Sequence, residues 1–153
     1  LDLIDMQDLS FSSANKLEEI LTDRLMISEG FRQFPYKDSV GILTIGYGRN
    51  LAEVGVNKEE AKYLLINDLK TAILICRSKL DWFNELDLIR QSVIADMVFN
   101  MGFNRFLKFK KFINFIIDKD YANASKEMLN SLWATQVKGR ATNLSRIFKD
   151  GKI

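Results

Sequence analysis

Two carboxylates and a hydroxyl stand close together early in the chain: Glu29, Asp38 and Thr44. The spacing predicts Glu29 as the last residue of a helix stopped by Gly30, Asp38 in a turn with Ser39, and Thr44 in a short alternating strand. Glu29 is poorly placed for a structural residue. A carboxylate at a helix C-terminus faces the negative end of the macrodipole, at a cost of roughly 0.3–1 kcal/mol when exposed. A local rule broken at one residue is a hint of function. From Gly41 to Gly48, the side chains of Leu43, Ile45 and Tyr47 form an apolar face expected to be buried. Ile42, Thr44, Gly46 and Gly48 form the other face, nearly bare around one hydroxyl, so that something bulky could approach Thr44 closely. Each feature also has a plain structural reading: a helix stop, a turn, and a glycine-rich bend in a small sheet.

The absence of one residue type narrows the chemistry. The chain contains no histidine, which removes Ser-His-Asp and Cys-His catalysis and the usual histidine-based zinc sites. Acid–base catalysis must then use carboxylates, lysine or tyrosine. Gly41 and Gly46 have the glycine spacing of a phosphate-binding loop, but Tyr47-Gly48 stand where lysine and a hydroxyl residue are required. The single cysteine, Cys76, excludes a disulfide within the chain and lies in an apolar helical run, where it is expected to be a small buried hydrophobe.

The 153 residues suffice for one compact domain or two closely joined lobes, and with 47% hydrophobic residues and eleven phenylalanines a substantial core can form. The net charge of +2 is too weak to imply nucleic acid. No apolar run approaches the ~18 residues needed to span a bilayer, and no N-terminal signal pattern is visible.

The elements that must position Glu29, Asp38 and Thr44 follow from periodicity. Residues 1–13 read as an arm or short leading helix. A helix over 13–29 places Leu17, Ile20, Leu21 and Leu25 on one face, with Ser12 or Ser13 as cap. Residues 31–51 are β-rich, and Pro35 marks the change from helix to sheet. Asn57 and Glu60 form a capping box that starts a helix to about Lys79, with Ala61, Leu64, Leu65, Leu69, Ala72 and Ile73 as its apolar stripe. Asp87 caps and Gly102 stops a helix that is apolar on most sides, hence central and buried. Residues 103–117 interleave Arg105, Lys108, Lys110 and Lys111 with Phe106, Phe109, Phe112 and Phe115. Such a segment could bind single-stranded nucleic acid or an anionic membrane surface. The simpler reading is an amphipathic helix with phenylalanines inward and lysines in water. Residues 122–132 form a further helix, and a last helix runs to about Lys149.

Three landmarks, in order, resemble the phage-type lysozymes, glycoside hydrolase family 24, which includes T-even phage and endolysin members. The first is Glu29-Gly30, then Tyr36-x-Asp38, then Gly41-x-x-Thr44-x-Gly46-x-Gly48. The second is Met97-Val98-Phe99-Asn100-Met101-Gly102, where Asn100 stands in place of a glutamine. The third is Ser131-x-Trp133, Gln136, and Arg140-Ala141. The family usually carries a histidine after the last glycine of the first landmark. This chain has Arg49, which bears on any pH-dependent contact of that histidine and not on the catalytic set.

The resemblance implies an α+β, mostly helical, two-lobed lysozyme-like fold. A small antiparallel sheet lobe (about 14–56), reduced by the short span 50–56, is followed by a long connecting helix (about 57–80) and a helical lobe (about 81–153). It implies a muramidase cutting the β-1,4 bond between N-acetylmuramic acid and N-acetylglucosamine in peptidoglycan. Glu29 would be the general acid, held neutral by partial burial, Asp38 the second carboxylate, and Thr44 the holder of water. Phe99, Asn100, Trp133, Gln136 and Arg140 would support substrate or site, with Arg140 paired to Glu29. Inversion implies a carboxyl separation of roughly 6.5–9.5 Å. No metal or cofactor is required. The expected partner is the peptidoglycan glycan strand, with no nucleic acid and no stable membrane insertion, and the expected state is a monomer. The protein would be made in the cytoplasm and act on the cell wall after release, for phage-induced lysis. The alternatives are a membrane- or nucleic-acid-binding protein acting through residues 103–117, or a lysozyme-like killing domain of a toxin.

Overall fold

A computed structural model describes residues 3–153, with side chains described from residue 15 onward. The elements are α1 (Leu3–Glu29), β1 (Arg32–Lys37), β2 (Leu43–Gly46), β3 (Arg49–Asn50), α2 (Lys58–Lys79), a 3-10 turn (Phe83–Glu85), α3 (Leu88–Met101), α4 (Phe103–Phe106), α5 (Lys110–Ile117), α6 (Tyr121–Leu129), α7 (Leu132–Val137) and α8 (Gly139–Asp150). The chain divides into one compact unit ending at Ala61 and a second from Lys62 to Ile153. This is a mostly helical α+β fold with one small antiparallel sheet.

In the first unit, α1 ends at Glu29, as its sequence predicts, and Gly30 closes it by donating to the Met26 carbonyl at 3.2 Å. The helix begins earlier than expected. Its backbone runs through Ser12 and Ser13, so neither stands at its start, and only residues 1 and 2 of the expected arm lie outside the described residues. Leu17, Ile20 and Leu25, expected to face a core, are exposed.

The sheet has the order β1-β2-β3, all antiparallel, and β3 is two residues long, in line with the short 50–56 span. Pro35 lies inside β1, not at its start. The register shifts between Arg32 and Tyr36, and β1 is an edge strand, the setting in which a residue without an N–H is tolerated. The expected burial of β2 is reversed. Thr44 is 4% exposed while Leu43 is 41% and Tyr47 46% exposed, and Tyr47 belongs to the turn after the strand. Alternation separates two faces, but tertiary packing decides which one is covered.

In the second unit, α3 is the central helix that its composition predicts, burying Val93, Ile94, Ala95, Met97, Val98 and Met101. Asp87 caps it, accepting from the Arg90 amide at 3.0 Å. Arg90 then fastens α3 to the end of α8, donating from Nε to the Phe148 carbonyl at 2.7 Å and from Nη2 to the Lys149 carbonyl at 2.9 Å. The predicted α2 stripe is buried only in its later part. Leu64 and Leu65 are exposed, whereas Ala72 and Cys76 enter the core, because the helix meets that core only from about Leu69 onward. The 122–132 prediction shortens, since α6 ends at Leu129 and Ser131 starts α7.

Residues 103–117 form two helices, α4 and α5, joined by a turn over Leu107–Phe109. The amphipathic reading holds. Phe106 and Phe112 are fully buried and pack edge to face at 6.2 Å, Phe109 and Phe115 are half-buried, and Lys108, Lys110 and Lys111 face water. Phe106 and Phe112 are thus committed to the core. Among the described residues, no helix is long and apolar enough to cross a membrane.

Cys76 has no exposed surface, and burial pushes its thiol up to about 11. A water-soluble thiol reagent at neutral pH is therefore expected to label it only after denaturant unfolds the protein. Stoichiometric labelling under native conditions would show that the α2 end of the core opens readily.

Candidate active site

Glu29, Asp38 and Thr44 all lie in the first unit, and each is held by a different local device. Asp38 is fixed by its own turn. Its Oδ1 accepts from the Val40 amide at 2.9 Å and the Ile42 amide at 2.8 Å, while its backbone N–H donates to the Ile42 carbonyl at 2.9 Å. This is the side-chain-to-backbone turn that Asp favours. Both bonds fall on Oδ1, so among the described residues Oδ2 has no partner and is open to a water or a ligand. Thr44 follows on the next strand, paired with Tyr36 on one side and Asn50 on the other. Its hydroxyl donates to the Ile42 carbonyl at 2.9 Å, which leaves the oxygen lone pairs to accept from a water. The Ile42 peptide thus touches both residues, its N–H bonded to Asp38 and its C=O to Thr44.

Glu29 is held by shape. A Cβ placed on Gly48 would stand 2.9 Å from Glu29 Oε2, 3.0 Å from Cδ and 3.3 Å from Cγ. The carboxyl group therefore lies against the bare Cα of Gly48, whose φ is +80°. The sequence presented this glycine as part of an open face, and the structure shows what occupies the opening. Within the first unit Glu29 is exposed, at the end of a helix, and Thr44 is the one fully buried residue among those described.

Beside this seat, Arg49 makes a two-pronged ion pair. Nη1 donates to Glu60 Oε2 at 3.0 Å and to the Gly55 carbonyl at 3.1 Å, and Nη2 donates to Glu60 Oε1. Glu60 also completes the predicted capping box. The Asn57 amide donates to its Oε2 at 2.9 Å, and its own amide donates to Asn57 Oδ1 at 2.9 Å. The hydrogen bond from Arg49 holds the Glu60 carboxyl below the usual carboxylate range, helped by the Asn57 amide, and the Glu60 bond raises Arg49 further. A carboxyl with a lowered folded-state value contributes stability above its unfolded value and loses it as pH falls through the folded one. The pair is therefore charged throughout the neutral range. Sequence reading missed the pairing because the partners are eleven residues apart across an irregular loop.

The remaining predicted residues lie in the second unit. Trp133 is buried, and its Nε1–H donates to Asn100 Oδ1 at 2.7 Å. Asn100 is exposed, and among the described residues its Nδ2 donates to no partner. Phe99 is partly exposed at the same helix end. Gln136 is exposed, and its Oε1 is 3.5 Å from Arg105 Nη2, too long for a strong bond. Arg140 donates from Nε at 3.0 Å and Nη2 at 2.6 Å to Asp96 Oδ1. Asp96 is the partner that the sequence did not suggest. Ser131 serves locally, accepting from the Ala134 amide at 3.1 Å to start the short helix that carries Trp133.

The sequence profile of the phage lysozyme family matches residues 26–146, which contain every predicted site residue. The chain is 30% identical to "Probable T4-type lysozyme 1" of Dictyostelium discoideum, over 87% of its own length and 95% of that protein. It is 29% identical to "Probable T4-type lysozyme 2" of the same organism over the same shares. A third relative, "Pre-baseplate central spike protein Gp5" of Enterobacteria phage T4, is 26% identical over 87% of this chain and 28% of its own length.

Proposed function

The chain belongs to the phage lysozyme family, and from that premise we propose that it is a muramidase, cleaving the β-1,4 bond from N-acetylmuramic acid to N-acetylglucosamine in peptidoglycan. The observation that carries the reading is the seating of the Glu29 carboxyl on Gly48, in the same unit as an Asp38 whose Oδ2 is open and a Thr44 whose hydroxyl can accept from water.

Glycoside hydrolysis needs a proton for the leaving oxygen and a group that handles the anomeric carbon. Glu29 gives the proton. It must hold that proton until the bond breaks, and a bound glycan adds to its burial. Asp38 stabilises the positive charge that develops on the sugar ring and helps take the proton from the attacking water. Thr44 holds that water, accepting one of its hydrogens. Such an arrangement inverts the anomeric centre and calls for carboxyls about 6.5–9.5 Å apart, room enough for the water. The protein would act on the cell wall, where its mild positive charge suits an anionic polymer.

The test is digestion of purified peptidoglycan with mass analysis of the soluble products. Disaccharide-peptides with reducing N-acetylmuramic acid ends are expected. Reducing N-acetylglucosamine ends, or freed peptides with intact glycan, would replace the muramidase assignment with a different cleavage.

A further inference from the structure

The Arg49–Glu60 pair has no part in the chemistry above, yet it is bonded to the residue that follows the Glu29 seat. Arg49 is the first residue of β3, is paired with Ile45 across the sheet, and shares a peptide bond with Gly48. Its guanidinium closes a ring of contacts through the Gly55 carbonyl, both Glu60 oxygens and the Asn57 amide, so that β3, the 50–57 loop and the first turn of α2 are one bonded network. We propose that Arg49 is a positioning residue for the general acid: its two-pronged bond to Glu60 fixes the Gly48 backbone on which the Glu29 carboxyl rests. The inference rests on the reading of Glu29 as the acid.

Three observations carry it. First, Glu29 Oε2, Cδ and Cγ all lie within 3.3 Å of where a Gly48 Cβ would be, so the carboxyl occupies space that only a glycine leaves open. Second, the first unit has almost no apolar core to hold the β2–β3 turn, since Tyr47 and Leu43 are exposed and Thr44 alone is fully buried among the described residues. Tyr47 of the turn does pack on Phe31, with ring centroids 5.6 Å apart, and the bonds of Arg49 add the directional hold that so exposed a contact lacks. Third, the pair is bidentate, which fixes direction as well as distance. The two side chains are 37% and 34% exposed, so the pair contributes modestly to stability. Its effect is on geometry, where a displacement of about 1 Å can cost on the order of 100-fold in rate.

The experiment compares wild type, Arg49→Gln, Arg49→Lys, Glu60→Gln and the Arg49→Gln/Glu60→Gln double variant on soluble glycan oligomers, with Glu29→Gln as control. Glu60→Gln keeps an oxygen for the Asn57 amide and so retains the cap. Each single variant is expected to lower kcat by roughly 10-fold or more with KM unchanged. The double variant should fall no further than the worse single. Lysine, which keeps charge but loses the fork, should rescue only partly. Wild-type kcat in Arg49→Gln, a loss confined to KM, or losses that multiply in the double variant would overturn the inference while a dead Glu29→Gln left the muramidase reading standing. An active Glu29→Gln would overturn both.

Discussion

Replacing Glu29 with glutamine is expected to abolish lysis while leaving the protein as stable as wild type or slightly more so. The side chain ends α1, whose last turn carries no basic residue, so its negative charge opposes the helix dipole without a local cation. Removing that charge recovers about 0.3–1 kcal/mol at an exposed site. For a chain of this size that is about 1–4 °C in melting temperature. Glutamine preserves the shape of the group lying on Gly48. It cannot deliver a proton to a leaving sugar oxygen, and loss of a general acid costs about 10²–10⁴-fold. Turbidity loss of purified peptidoglycan, read beside a thermal melt, checks both halves. A variant that cleared walls at the wild-type rate would place the acid elsewhere, and a variant that melted well below wild type would give Glu29 a structural role.

What was legible beforehand is what local rules encode. The end of α1 at Glu29, the Asn57–Glu60 box, the Asp87 cap and the stop at Gly102 all depend on residues within one turn of each other, and all are present. The apolar α3 was legible as central because a helix without a polar face has only one stable place. What failed depended on partners distant in sequence. Thr44 and Leu43 exchange the expected faces because strand alternation is symmetric until packing breaks the symmetry. Residues 103–117 divide at Leu107–Phe109 with no proline or glycine there to mark the break. At the site, residue type and spacing made Glu29, Asp38 and Thr44 candidates, and the family resemblance implied their roles. The Gly48 seat, the Arg49–Glu60 fork and the Asp96 partner of Arg140 could not, since each joins segments that only folding brings together.

The second large effect is expected at that seat. Gly48→Ala should keep its fold with a modest loss of stability and lose most activity. Two costs fall on the new methyl group. A non-glycine residue at φ +80° is strained by about 1–3 kcal/mol. The methyl would also stand 2.9 Å from Glu29 Oε2, closer than such atoms can remain. The carboxyl is the free end of an exposed, flexible side chain, so it yields and the backbone does not. Relief of the clash moves the proton donor, and a shift of about 1 Å in a reacting group is worth on the order of 100-fold. Gly46→Ala separates the two costs. Gly46 has a similar φ of +67°, but a Cβ there meets nothing within 4 Å, so this variant carries the strain without the clash. Both variants should melt below wild type by comparable amounts, and only Gly48→Ala should lose about two orders of magnitude in kcat on soluble glycan. If Gly46→Ala lost as much, the damage would come from the strained turn itself. If Gly48→Ala lost nothing, the carboxyl position against Gly48 would not be the one used in the reaction.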